Sequence, residues 1–362
     1  MATILSRLKP TRRWLQFSLR TMLLLMLVCG VWLGWFVDRA QRQKRAVEKI
    51  EAEGGEVGFW HRPIMPDFCG VAGGPTPGPD WLCRLIGEEY FTKAIEVRLP
   101  AERSPDSQAA ALLPDLPYLK VLHIDGLQQS DQTDARRLTT LKYLVFQTSE
   151  RVDLNCFISN QELEQIDLSA SKTDEIDLQP LEALPKLNSL RIELKSSSSV
   201  RNVVKQISRL RKLEELALVS PNLRGDDLAP LRAMENLNYL ELSGGDFNDS
   251  TLVHLQNLPR LEILDVRGAK FTSFGLSKLN KNLEFINFWD LSISDIELAC
   301  FRRLPMLKSL WLGECTFTDA GLASLVGMDN LEFFIAASSH ATDRGVEMVR
   351  RSMKYNFHIE VR

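Results

Sequence analysis

Residues 307–328 read LKSLWLGECTFTDAGLASLVGM, and this segment decides the fold. From a start at Leu310, further apolar side chains follow at Leu312, Phe317, Leu322, Leu325, Met328 and Leu331. The same series starts again at Phe334, 24 residues after Leu310. A fixed period of about 20–29 residues is typical of chains built from stacked structural repeats.

Further copies of this series fill most of the chain. Starts at Leu216, Leu240 and Ile286 are each followed by the next start 24 residues later. Weaker copies start at Leu122, Leu144, Ile166 and Leu190, with spacings of 22, 22 and 24 residues. The copy from Leu190 to Leu216 has 26 residues, and its excess predicts a loop-like insertion at 196–199. Single strands are expected before and after the array, at 95–99 and 357–361.

The chemistry of one copy predicts its structure. Leu240 and Leu242 alternate with Glu241, which indicates a short strand with one buried face. Leu252, Leu255 and Leu258 recur every third residue, which suits a short helix or a 3₁₀ turn behind the strand. One copy cannot bury its apolar face alone, so neighbouring copies must stack. We therefore predict an α/β solenoid, a horseshoe with a parallel β-sheet on the concave side and short helices on the convex side.

The repeats resemble the leucine-rich-repeat family. Residues 307–317 match the pattern Leu-x-x-Leu-x-Leu-x-x-(Asn/Cys)-x-Leu, and residues 318–322 resemble the Thr-Asp-x-Gly-Leu variant of bacterial and cysteine-containing repeats. The resemblance implies the solenoid fold and a general binding role, although a fold names no ligand. Only Cys315 matches the family's Asn/Cys position, so no asparagine ladder is expected. The corresponding positions in other copies hold Ser171, Pro221, Gly245, Ala269 and Leu291.

An uncharged segment precedes the repeats. Residues 21–37 read TMLLLMLVCGVWLGWFV, and we predict a transmembrane helix over 17–37 after a basic segment at 1–16. Trp32 and Trp35 stand at its far end, where interfacial aromatic residues are expected. A cleaved signal peptide is the alternative. Bulky Trp35 and Phe36 in place of small residues at the cleavage position favour an uncleaved anchor.

The flanks of this segment bear on orientation. Lys and Arg are nearly balanced between the flanks, but the first flank has no acidic residue, which favours an N-terminus in the cytoplasm. An anchor, a linker and then repeats resemble bacterial membrane-anchored repeat proteins. That resemblance implies a single-pass inner-membrane protein with an extracytoplasmic repeat domain.

The part between the anchor and the array is expected to be a juxtamembrane stalk and a Pro/Gly-rich linker over 38–80. The repeat domain then covers 81–362, and its first residues, 81–90, read as a short amphipathic helix. In an extracytoplasmic body Cys69 and Cys83 could pair, which sequence alone leaves open.

Composition and motifs argue against several classes of function. The net charge of −3 comes from 44 Lys and Arg against 47 Asp and Glu, so no strong field favours nucleic acid. The sequence holds no phosphate-binding glycine loop, no GxSxG and no HExxH. The five histidines share no ligand spacing with carboxylates or cysteines. We therefore expect no enzyme activity, metal, cofactor or small-molecule substrate, and we interpret Cys300 and Cys315 as buried structural thiols.

Residues between the buried leucines of each strand should face the concave side. In the C-terminal repeats these positions carry several aromatic side chains beside two acidic ones. We predict that they form a protein-binding surface, since exposed aromatic patches often mark contacts. Its residues are Tyr239, Glu241, Asp265, Phe285, Trp289, Trp311 and Phe333. The alternative is that these rings pack on one another or are covered by the C-terminal tail.

Three functions follow in order. The first is a membrane-anchored repeat protein that mediates protein–protein interaction through its concave face. The second is a structural envelope spacer that self-associates without a discrete ligand. The third is an enzyme, or a regulatory subunit of one whose partner supplies the chemistry.

Overall fold

The computed structural model describes residues 19–64, 80–86, 90–100, 109–125, 136–148, 153–170, 176–194, 200–353 and 357–361. The strands of the main sheet are β1 Glu56–Phe59, β2 Ala94–Leu99, β3 Val121–Ile124, β4 Tyr143–Thr148, β5 Gln165–Ala170, β6 Ser189–Leu194, β7 Glu215–Val219, β8 Tyr239–Ser243, β10 Ile263–Arg267, β12 Phe285–Trp289, β13 Ser309–Leu312, β14 Phe333–Ala336 and β15 His358–Val361. Two short strands, β9 Phe247–Asn248 and β11 Ala269–Lys270, pair separately.

Helices connect many of these strands. They are α1 Leu19–Ala52, α2 Asp80–Ile86, α3 Val200–Ile207, α4 Asp249–Leu255, α5 Ser273–Leu276, α6 Asp295–Cys300, α7 Asp319–Ala323 and α8 Asp343–Ser352. Shorter 3₁₀ helices cover Ala110–Asp115, Leu154–Phe157, Gln179–Ala183, Gly225–Ala233 and Phe301–Arg303. The period of three in the sequence therefore produces both kinds of turn. The 26-residue repeat contains α3, while residues 196–199 lie outside the described part.

The main sheet has 13 strands in chain order, and every neighbouring pair except β1–β2 is parallel. Its register brings the repeat starts side by side, so that Leu264 pairs with Leu240 and with Ile286. The start positions Leu310 and Phe334 continue the same row. The predicted leucine-rich-repeat solenoid is therefore confirmed.

One continuous core runs between the sheet and the helices. Within each strand the first leucine and the residue two positions later point inward, as Leu264 and Val266 do. Neighbouring strands lie about 4.8 Å apart, whereas packed helices need about 8–10 Å. The helical side is therefore wider, and the open face of the sheet is the concave face.

Successive turns are joined by aspartate–threonine hydrogen bonds. Asp319 Oδ1 accepts from the backbone N–H of Thr342 at 2.7 Å, and Oδ2 accepts from Thr342 Oγ1 at 2.7 Å. Asp295 with Thr318, and Asp249 with Thr272, repeat this pair of bonds. These bonds therefore link neighbouring repeats at three junctions in the C-terminal half of the chain.

Helix α1 is one unbroken helix of 34 residues. Residues 20–52 form a helix long and apolar enough to cross a membrane, with a mean hydropathy of 1.9 over its most apolar window. None of that window is buried in the protein. An N-terminal apolar helix is therefore confirmed, whereas the basic segment at 1–16 and residues 17 and 18 of the predicted span lie outside the described residues.

The second half of α1 packs on the first repeat. Ala46 and Ile50 are fully buried, and Gln43 Nε2 donates to the carbonyl of Thr92 at 2.9 Å. The helix contacts the 3₁₀ helix Ala110–Asp115. After it, β1 pairs antiparallel with β2 and extends the sheet. Within 38–64 the structure thus shows a helix and a strand on the repeat body, where the sequence suggested a stalk.

The division of the chain at residue 81 stays a prediction. Helix α2 occupies most of the predicted amphipathic segment and ends at Ile86. Its Trp81 and Leu85 are exposed, while Cys83 is buried. Cys69 lies outside the described residues, so the proposed pairing with Cys83 is untouched by the structure.

Candidate functional site: the concave face

The concave face is built from three rows of side chains, one from each outward position of the strands. The central row is set by register, with Asp265 beside Glu241 on one strand and Asn287 on the other. It contains, in order, His123, Val145, Asp167, Arg191, Ala217, Glu241, Asp265, Asn287, Trp311 and Ile335. These are the positions that the alternation in the sequence predicts.

A charged group occupies the middle of the central row. Arg191 Nη1 lies 3.0 Å from Glu241 Oε2, and Arg191 Nε lies 3.9 Å from Asp167 Oδ2. Tyr239 donates its hydroxyl to Glu241 Oε2 at 3.4 Å. Burial and the nearby carboxylates raise the pKa of Tyr239 to about 12. The tyrosine therefore remains a neutral hydrogen-bond donor at physiological pH.

A shallow depression of 260 Å³ lies where the central row carries Ala217. Its walls include Tyr143, Arg191, Glu215 and Tyr239. Small-molecule sites usually occupy about 300–1,000 Å³ and enclose most of their ligand. This depression is smaller and open to one side, so it suits a side chain of a partner better than a free metabolite.

The next part of the row contains polar atoms without hydrogen bonds. Asn287 Nδ2 donates to Asp265 Oδ2 at 2.8 Å. Within the described part of the chain, Asp265 Oδ1, Asn287 Oδ1 and Trp311 Nε1 are buried and have no hydrogen-bond partner. Burial raises the pKa of Asp265, against the lowering effects of Asn287 and Arg267. Buried polar groups are normally satisfied, so these three atoms need an explanation.

Besides Tyr239, the predicted aromatic residues divide into a packed pair and two exposed rings. Phe285 and Trp311 form an edge-on contact with ring centroids 5.3 Å apart. Trp289 is 37% exposed and Phe333 is 44% exposed. Residues 358–361 form β15 beside β14, and the ring of His358 lies 6.1 Å from that of Phe333. Packing of one ring on another is thus real for Phe285 and Trp311, whereas Trp289 and Phe333 remain available.

The acidic residues differ from their expected place. The sequence suggested an acidic edge beside the aromatic patch, but Glu241 and Asp265 are each only 9% exposed, because the neighbouring strands and rows cover them. The structure therefore gathers the seven predicted residues on one face. The two carboxylates are buried there, while Trp289 and Phe333 are exposed to solvent. Their role in binding stays a prediction.

Two exposed apolar residues on the helical side have no counterpart in the sequence prediction. Phe274 in α5 is 60% exposed, and Ile296 in α6 is 68% exposed. They occupy equivalent positions two residues after the N-cap residues Thr272 and Ser294. In the sequence, their only cue is an apolar residue at the x position of the Thr-Asp-x-Gly-Leu pattern.

The described residues include neither a metal-binding group nor, at Cys300 and Cys315, a thiol of lowered pKa. No group of three or more His, Cys, Asp or Glu side chains within these ranges is arranged to hold a metal ion. Burial raises the pKa of Cys315 to about 12, and the pKa of the half-buried Cys300 is also raised. His123 Nε2 lies 3.1 Å from Glu96 Oε1 in a buried pair. High thiol pKa values disfavour the nucleophilic thiolate.

Comparison with known proteins gives likenesses of fold alone. No protein-family model and no curated protein matches the chain. An internalin of Listeria monocytogenes str. 4b F2365 is similar, with 18% identity, a TM-score of 0.47 and coverage of 73% of this chain and 86% of that one. Internalin C2 of the same strain is 22% identical, with a TM-score of 0.40 and coverage of 57% of this chain and 83% of that one. A TDR receptor is 20% identical, with a TM-score of 0.42 and coverage of 69% of this chain and 44% of that one. Because these identities and TM-scores are low, the fold assignment rests on the strand register described above and not on the comparisons.

Proposed function

We propose that this protein is a membrane-anchored repeat protein, not an enzyme, that binds another protein through its concave face. The proposal rests mainly on the outward side chains of β8 to β14, among which Trp289 and Phe333, from the two flanking rows, keep over a third of their surface exposed. Large aromatic side chains at such positions often supply most of the binding energy of an interface. The extended sheet matches the size of a protein partner better than that of a small ligand.

The anchoring part of the proposal is supported by α1. A helix needs about 20 apolar residues to span the hydrocarbon core, and the window in α1 is apolar and uncovered by the protein. We propose that it stays uncleaved in a bacterial inner membrane, with the repeat body outside the cytoplasm.

The test is partner capture by the full chain in native membranes, with chemical cross-linking and quantitative mass spectrometry. Trp289→Ala combined with Trp311→Ala should abolish the capture of a stoichiometric partner. Phe274→Ala combined with Ile296→Ala removes a similar exposed apolar area on the helical side and is the matched control. Loss of the partner in the control alone would move the binding surface to the helices and reject the concave face.

Self-association is the second candidate, supported by the open edge of β15. This strand is last in the sheet and pairs only with β14 among the described strands. An open edge can pair with another chain. If cross-linking yields only homotypic products, and Val361→Pro, which removes an N–H on the open edge of β15, abolishes them, the protein is a spacer and not a receptor for a partner.

A further inference from the structure

Asp265 is a carboxylate held with one oxygen unsatisfied. Its Oδ2 accepts from Asn287, whereas Oδ1 has no hydrogen bond. Oδ1 lies 3.7 Å from Nε of Arg267, whose side chain is half exposed. Asn287 adds a second buried acceptor, Oδ1, without a donor. Two buried acceptors on adjacent strands thus lack the donors that burial normally demands.

Aromatic rings surround this carboxylate. The register places Phe285 and Trp289 in diagonal positions on the strand that follows Asp265, and Tyr239 in a diagonal position on the strand before it. Diagonal neighbours lie about 7–8 Å apart, within reach of large side chains. The face of an aromatic ring attracts cations. The carboxylate and the ring faces therefore both favour a positively charged group at this position.

The described carboxylates in this part of the central row are paired with unequal geometry. Asp167, Glu241 and Asp265 of the central row lie near two guanidinium groups, those of Arg191 and Arg267. Arg191 is committed to Glu241 at 3.0 Å. Among the described residues, Arg267 is paired with Asp265 at a long distance of 3.7 Å, and a more favourably placed cation can displace it.

We propose that the protein partner inserts an arginine side chain at Asp265, so that its guanidinium donates to Oδ1 of Asp265 and Oδ1 of Asn287 and stacks on Trp289. This inference rests on the proposed function, since it names the chemistry of the partner at that surface. Arginine fits better than lysine because its planar group offers several donors in fixed directions and stacks on rings.

The probe is the capped pentapeptide Gly-Gly-Arg-Gly-Gly, compared with the same peptide carrying citrulline, which keeps the shape without the charge. The full chain in detergent, labelled with 5-fluorotryptophan, is followed by ¹⁹F NMR, and Trp289 and Trp311 are assigned by substitution with Phe. The arginine peptide should shift the Trp289 signal at millimolar concentration, and the citrulline peptide should leave it in place.

Two variants with opposite effects give the inference its sharpest test. Asp265→Asn should weaken arginine-peptide binding about tenfold, as expected for loss of a charge-assisted hydrogen bond. Arg267→Gln removes the internal competitor on an exposed side chain and should strengthen binding. Asp329→Asn, which removes an exposed turn carboxylate, is the control and should change nothing.

Equal binding of the two peptides, or binding unchanged by Asp265→Asn, overturns the inference. If native partner capture still depends on Trp289 and Trp311 in that case, the proposed function stands and only the arginine assignment fails. If partner capture is independent of both tryptophans, the proposed function itself fails.

Discussion

Nη1 of Arg191 on β6 lies 3.0 Å from Oε2 of Glu241 on β8, so the ion pair spans the intervening strand β7. Two strand spacings amount to about 10 Å, and the small side chain of Ala217 on β7 leaves this path open. The depression and the ion pair therefore have the same cause, a single alanine in the central row.

Breaking this pair should lower stability by a modest amount. Arg191→Ala leaves the mostly buried Glu241 with only the hydroxyl of Tyr239, whereas Glu241→Gln removes the charge itself. A double-mutant cycle should give a coupling of about 1 kcal/mol, reduced because Arg191 is partly exposed. Urea unfolding of the four proteins in detergent measures it. A coupling of zero would show that the pair orients these side chains without stabilising the fold.

Acid should loosen the C-terminal turns through Asp319. Hydrogen bonds from the backbone and side chain of Thr342 lower the pKa of this carboxyl below its ordinary value of 3.8. A lowered folded-state pKa contributes stability above the unfolded value, and that stability is lost as pH falls through the folded value. The protection factors for hydrogen exchange at residues 342–349, which correct for the slower intrinsic exchange in acid, should therefore fall below about pH 4.

Asp319→Ala is the control for this pH effect. It should have lower protection factors at neutral pH and show a smaller additional decrease in acid. An unchanged acid response in the variant would assign the effect to other carboxyl groups.

Gly345 should tolerate no side chain while Asp319 is present. A Cβ atom at this position would lie 2.1 Å from Oδ1 of Asp319, which is held by Thr342. Overpacking of this kind costs about 1–3 kcal/mol. Gly345→Ala should lower the midpoint of thermal unfolding in the wild type and lower it less in an Asp319→Ala background. Equal effects in both backgrounds would rule out this clash as the cause.

The cysteines should react in order of burial. A thiol pKa of about 12 at Cys315 leaves roughly a thousandfold less thiolate than the ordinary value of 9.0 does. Maleimide at pH 7.5, followed by mass spectrometry, should label Cys300 before Cys315. Urea should remove the difference, and early labelling of Cys315 in the folded protein would contradict its burial.

The sequence predicts the repeat body well because the same rule applies to every repeat. Leu216, Leu240 and Leu310 each need a neighbour to cover them, so a regular period allows little besides stacking. Alternation within each strand likewise assigns Glu241 and Trp311 to the open face. These predictions require only the direction of side chains and not their packing.

Features that depend on volume or on contacts between distant residues escape this reasoning. The depression at Ala217 requires knowing that Arg191 and Glu241 reach across it, 50 residues apart. The burial of Asp265 depends on the neighbouring rows. Strand β1 pairs with β2 about 40 residues further along the chain, and a four-residue strand after Gly54 and Gly55 gives no periodic signal.

The unbroken course of α1 has a mechanical consequence. A helix rises about 1.5 Å per residue, so these 34 residues make a rod roughly 50 Å long whose last turns are locked to the first repeat by Gln43, Ala46 and Ile50. In the membrane-anchored protein that we propose, tilting or turning the N-terminal end of this unbroken rod reorients the whole horseshoe by the same angle. The direction in which the horseshoe opens relative to the bilayer is then set by the anchor and not by a flexible tether.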